Sequence, residues 1–107
     1  MDRLLGCWRL ERTAGGADDS VPMELTFLPA GGLDFAVHVG GDWLVLPMTY
    51  RLEGGTLVIV PNASTPEDRA RYRFERDGTL LLHFDDGRQA WLRRGERQAP
   101  AANRTAG

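Results

Sequence analysis

Tyr50 and Tyr72 are the polar residues best placed to do chemistry. Tyr50 sits in the alternating series Leu44, Leu46, Met48, Tyr50, Leu52, and Tyr72 lies between Ala70 and Phe74 in the same two-residue rhythm. A phenol among apolar neighbours must find a hydrogen-bond partner. In a filled core that partner is a backbone carbonyl or a water. In a hollow one it is a ligand, and the phenol can also serve as an acid. Phe27, Phe35, Phe74, Met23 and Met48 fall on matching faces and supply an apolar wall. Mostly apolar lining with a few polar groups is the usual make-up of a small-molecule pocket. The candidate ligand-binding set is therefore Tyr50, Tyr72, Phe35, Phe74, Met48 and Phe27.

The remaining reactive groups point to less. His38 and His83 are the only histidines, and each alternates away from an apolar face, which predicts solvent-facing rings. Two histidines without a third or fourth ligand at suitable spacing make no zinc site, and no metal or cofactor is expected. The lone cysteine, Cys7, falls inside the first predicted strand with no base nearby, the pattern of a buried, inert thiol. Asp18-Asp19 lies in a loop without calcium-loop spacing, and Asp86-Gly87 is explained by turn chemistry. Arg69, Arg71 and Arg73 form an outward cationic stripe, read as a solvated face unless an anionic partner meets it.

These residues are carried by short strands. Glycines (13) and prolines (6) punctuate runs of β-branched, aromatic and aliphatic residues, and no apolar period of 3.6 is sustained long enough for a long helix. The pattern predicts strands over 5–13, 22–28, 33–39, 42–53, 56–60, 68–76, 79–85 and 88–94. Gly40-Gly41, Gly54-Gly55, Asp77-Gly78 and Asp86-Gly87 are hairpin turns. Pro47 cannot donate to a ladder, so a bulge or bend is expected there. Beyond Gly95 the sequence is small, polar and aperiodic, which predicts a single domain over 1–94 and a disordered tail over 95–107. Eight strands joined by tight turns form an antiparallel meander, and closing it removes two exposed edges. The fold expected is an all-β, eight-stranded up-and-down barrel, wide enough to fill with its own side chains or to hold one small ligand.

The opening LLGCWRL resembles the Gly-x-Trp start of lipocalin-type barrels, and the closing WLRR resembles their last strand, where an arginine packs across that tryptophan. ELTFLPAGGLDF, MTYRLEGGTLVIV and ARYRFERDGTLLLHF resemble the strand–turn–strand units of small bacterial lipocalin-like domains, and the likeness spans residues 4–94. It implies that Trp8 plugs one barrel end under a guanidinium. Arg93 is the partner if Trp91 faces inward, Arg94 if Ala90 and Leu92 do. With one cysteine the chain has no internal disulfide of the kind secreted lipocalins carry, and no export signal is expected.

Bulk properties narrow the function. Net charge is −2, with 13 arginines and no lysine, which argues against a dedicated nucleic-acid binder. No membrane span or signal peptide is visible, so a cytoplasmic protein is expected. The leading expectation is a binding module for a small, largely apolar molecule. A small barrel enzyme of the cyclase or isomerase type, using an acid such as Tyr72, is the first rival. An interaction domain, homodimeric or otherwise, is the second.

Overall fold

The computed structural model describes residues 2–16, 21–61 and 64–102. After a single 3-10 turn (Asp2–Leu4) come eight strands: β1 (Gly6–Ala14), β2 (Met23–Phe27), β3 (Gly32–Val39), β4 (Asp42–Glu53), β5 (Thr56–Val60), β6 (Asp68–Phe74), β7 (Leu80–Phe84) and β8 (Gln89–Arg94). Each pairs antiparallel with the next, and β8 returns to β1, giving a closed barrel in simple sequence order. Short connections favour this, most strictly at Gly40-Gly41 and Gly54-Gly55, where a chain reversed within two residues has only its predecessor to pair with. The expected all-β, eight-stranded up-and-down barrel is the fold observed. Among the described residues no helix is long and apolar enough to cross a membrane.

Alternation sends one face of each strand inward. Trp8, Phe27, Leu33, Leu57, Leu80, Leu82 and Leu92 make up most of the fully enclosed interior. Pro47 does not bend β4, which runs unbroken with Pro47 opposite Asp34. The reason is its position. β5 begins to pair only at Thr49, so the stretch 42–48 is bonded to β3 alone and the missing donor faces an open edge. The register shift lies instead in β1, between Leu10 and Arg12. It leaves Glu11 as the extra residue.

One barrel end is closed by the first and last strands together. Ala90 and Leu92 face inward, and the Arg94 guanidinium lies 4.3 Å from the Trp8 ring centroid. Arg93 points out, to Glu11 at 2.7 Å. Arg94 also donates to the carbonyls of Leu5 and Arg3, and the Trp8 indole donates to the Leu4 carbonyl at 2.9 Å. Gly6 makes this possible. Its φ is +111°, and a Cβ there would stand 2.6 Å from Arg94 Nη1. A side chain at position 6 would therefore meet both a strained backbone and the guanidinium.

Two features of the outer surface depart from simple solvation. Val58 is fully buried although it faces outward, because it sits in register between Arg51 and Arg69. Those arginines are tied to Glu53 and Glu67 by contacts of 2.6–3.4 Å. Hydrogen bonding to Arg51 holds both glutamates below the usual carboxylate range. The second feature is the segment after Gly95. It has no regular structure, yet residues 97–102 lie against the outside of β2 and β3. Arg97 Nη2 donates to Asp34 at 2.7 Å, the Gln98 and Ala99 amides donate to Glu24 at 3.0 and 3.1 Å, and the Ala102 amide donates to Asp34 at 3.2 Å. Asp34 and Glu24 are consequently only 2% and 1% exposed on what is otherwise the solvent face. Buried carboxylates survive only with such charge-assisted bonds. Cys7 is buried on the same face, and burial pushes its thiol pKa up, as an inert thiol requires. Residues 103–107, the rest of the expected tail, lie outside the described residues.

Gly6→Ala should cost about 2 kcal/mol or more of folding stability, whereas Gly55→Ala, with open space around it, should stay within about 0.5 kcal/mol. Urea denaturation midpoints check this, and equal costs would contradict it. Ending the chain at Gly95 should lower stability by about 2–4 kcal/mol through loss of several charge-assisted bonds. It should also speed native-state reaction of Cys7 with Ellman's reagent. An unchanged thiol rate would show that the C-terminal segment does not shield this face.

Candidate ligand-binding site

The end of the barrel opposite Trp8 is formed by the last residues of β1, β3, β5 and β7 and the first of β2, β4, β6 and β8. Among the described residues no large aromatic is clamped across it, and a cavity of about 420 Å³ opens there. Its deep wall is aliphatic: Leu33, Ile59, Leu82 and Leu92. Nearer the mouth stand Met23, Leu25, Phe35, Met48 and Phe84. These are the inward members of alternating strands, so the same two-residue period that forms each strand also lines the cavity.

The β1 bulge tunes one wall. In the phase set by Trp8 and Leu10, Arg12 would point inward. The extra residue turns Arg12 out, onto the face of Trp91 at 3.8 Å, and brings Thr13 to the cavity. A charged residue on the inward phase was the available sign of this shift. The other polar groups lie together at the mouth. Arg88 reaches Asp68 at 3.4 Å and Asp86 at 2.7 Å, with its guanidinium 4.7 Å from the Phe84 centroid. The Arg88 backbone amide and, more weakly, its guanidinium hold the Asp86 carboxyl below its ordinary pKa. The site can therefore desolvate an apolar molecule and offer it a hydroxyl and a paired charge at the entrance. Among the described residues it sets no acid–base pair across the interior.

The six residues expected to bind ligand divide between the two barrel ends. Phe35 and Met48 line the cavity, as does Met23. Phe27, Tyr50, Tyr72 and Phe74 do not. Phe74 lies 6.0 Å from Trp8 and 6.1 Å from Tyr72, with the Arg3 guanidinium over its ring at 4.1 Å. Phe27 meets Tyr50 edge to face at 5.0 Å, and the Tyr50 hydroxyl donates to the Leu28 carbonyl at 3.4 Å. Partial burial raises the Tyr50 pKa. These four rings extend the Trp8 plug. Alternation told inside from outside, but it carries no information about depth along the barrel.

Leu10, Leu25, Leu82, Phe84, Arg88 and Thr13 complete the site and were not singled out from the sequence. Aliphatic cavity residues look like core residues in any alternating strand. His38 packs on Trp43 at 4.9 Å on the outside of the β3–β4 hairpin, and His83 is exposed on β7. Among the described residues no three His, Cys, Asp or Glu side chains are grouped to hold a metal. Asp18-Asp19 lies outside the described residues.

No protein-family model matches the chain, and no curated protein matches it.

Tyr50→Phe and Tyr72→Phe should leave uptake of an apolar dye unchanged within about twofold, since neither ring borders the cavity. Tyr50→Phe should cost about 1 kcal/mol or less for its one long hydrogen bond. Fluorescence titration and thermal melting read these two effects. Loss of dye uptake in either variant would place a tyrosine in the binding site after all.

Proposed function

We propose that the protein is a lipocalin-like binding module that takes a small, largely apolar molecule through the open end of its barrel. The observation that carries this reading is the asymmetry of the interior: plugged at the Trp8 end, empty over about 420 Å³ at the other. That volume lies in the lower part of the range for ligand pockets, and the lining is mostly hydrocarbon. Hydrophobic burial supplies the affinity at about 25 cal/mol per Å² removed from water.

A second feature supports the reading. Past the end of β5, the β3–β4 hairpin continues beyond the mouth with Val39, Leu44 and Leu46 exposed at 56%, 54% and 40%. Leu46 pairs with Phe35 and Leu44 with Val37, so an apolar apron runs from solvent to the cavity wall. Contiguous exposed apolar surface of this kind marks a place where something apolar binds. The Gly6–Trp8–Arg94 closure is the arrangement that a lipocalin-like origin implies.

The test uses N-phenyl-1-naphthylamine, a neutral apolar dye. The wild-type protein should bind it at one site and enhance its emission. Met48→Trp, which drives a large ring into the cavity, should weaken binding at least tenfold while the circular dichroism spectrum stays that of the barrel. Native mass spectrometry of freshly purified protein should show a small molecule released from the wild type and absent from Met48→Trp. Absence of dye binding, or equal binding by the two proteins, would overturn the proposal.

A further inference from the structure

Outside the barrel, arginines fall into two kinds. Arg51 and Arg69 are held by Glu53 and Glu67, Arg88 by Asp68 and Asp86, and Arg93 by Glu11 and Asp77. Arg12 and Arg71 have no carboxylate partner among the described residues, and Arg73 has only the exposed Glu75 at 3.1 Å. These three stand on one face. Register places Arg73, Leu81, Trp91 and Arg12 in one row across β6, β7, β8 and β1, with Arg71, His83 and Gln89 in the next row. Together they line a shallow groove of about 710 Å³.

We propose that this groove docks a short acidic polypeptide segment of another protein. Cations flank an apolar floor made by the half-buried Leu81 and Trp91. Arginine and tryptophan are the residue types that most often carry interface energy, and the guanidinium fork suits carboxylates. The spacing fits an extended peptide. Arg71 and Arg73 on β6 are separated from Arg12 on β1 by three inter-strand steps, about 14 Å, which is about the span of four extended residues. Acidic side chains at either end of a short apolar stretch would therefore meet both cationic edges at once.

A polynucleotide fits less well. Trp91, the large ring on this floor, already has the Arg12 guanidinium on one face at 3.8 Å, and the other rings that border the groove are those of His83 and Tyr72, which form no continuous stack with it. Glu75 borders the groove, and the whole chain carries a net charge of −2. Those charges repel a long polyanion but hardly affect a peptide confined to the groove.

The test is fluorescence anisotropy with the full chain. The probe is a fluorescein-labelled peptide with two glutamates at each end of a Leu-Ala-Leu centre. Its glutamine counterpart and an oligothymidylate of ten nucleotides serve as comparison probes. The acidic peptide should bind saturably, and the glutamine peptide at least tenfold more weakly. Arg71→Gln with Arg73→Gln, and separately Trp91→Ala, should each weaken binding at least tenfold. Arg93→Gln, at a paired position, should bind within about twofold of wild type. Uptake of the apolar dye should be the same in all variants, which separates this groove from the cavity and shows that the barrel is intact. No binding of the acidic peptide, or binding unaffected by Arg71→Gln with Arg73→Gln, would overturn the proposal. So would tighter binding of the oligothymidylate. Sedimentation showing that the wild type self-associates through this face, and that the paired arginine variant does not, would also overturn it in favour of a second copy as occupant.

Discussion

The rest of the molecule depends on the return of β8 to β1. Without that pairing, eight strands would form a curled sheet with two bare edges and one face of hydrocarbon in water. At the closed end this seam is clamped by Arg94. Arg94 lies over Trp8, fits against the bare backbone of Gly6, and donates to carbonyls that precede β1. It closes the cylinder and caps it in one arrangement. Because the cap is built only where the chain begins and ends its meander, the two barrel mouths cannot be alike. The interior asymmetry follows from the seam.

That asymmetry divides the aromatic residues. Trp8, Phe74, Tyr72, Phe27 and Tyr50 form the plugged end, while Phe35 and Phe84 stand on the empty side with Met23 and Met48. Large rings fill a narrow barrel from wall to wall. Leucine, isoleucine and methionine, shorter or more pliant, leave space along the axis. The outer surface is divided as well. One region is neutralised by its own carboxylates, another is covered by the C-terminal segment, and a third holds Arg12 and Arg71 without such partners among the described residues.

Strands and turns were legible in the sequence to within a residue or two, because a period of two and paired glycine or Asp-Gly turns are local signals. The choice of Arg94 over Arg93 followed once Ala90 and Leu92 were known to face inward. Three matters were not local. Pro47 is accommodated because β5 stops pairing short of it, which depends on the length of another strand. Glu24 and Asp34 fall on the outward phase of β2 and β3, and nothing in their neighbourhood in the sequence shows that residues 97–102 will cover them. Of the six residues expected at the site, two border the cavity and four do not, for a related reason. Met48 and Tyr50 lie two residues apart on one face of β4, yet one borders the cavity and the other reaches the carbonyl of Leu28 at the plugged end. Depth along a tilted strand is set by the whole barrel.

The claim that the interior is hollow at one end and solid at the other is tested most directly by methyl NMR. Indole is titrated into protein labelled at its leucine, isoleucine and methionine methyl groups. Met23, Met48, Ile59, Leu82 and Leu92 should shift in a saturable way, while Leu4 and Leu57 stay still. Shifts at Leu4 beside Trp8, or no saturable shifts at any methyl, would contradict this account of the barrel.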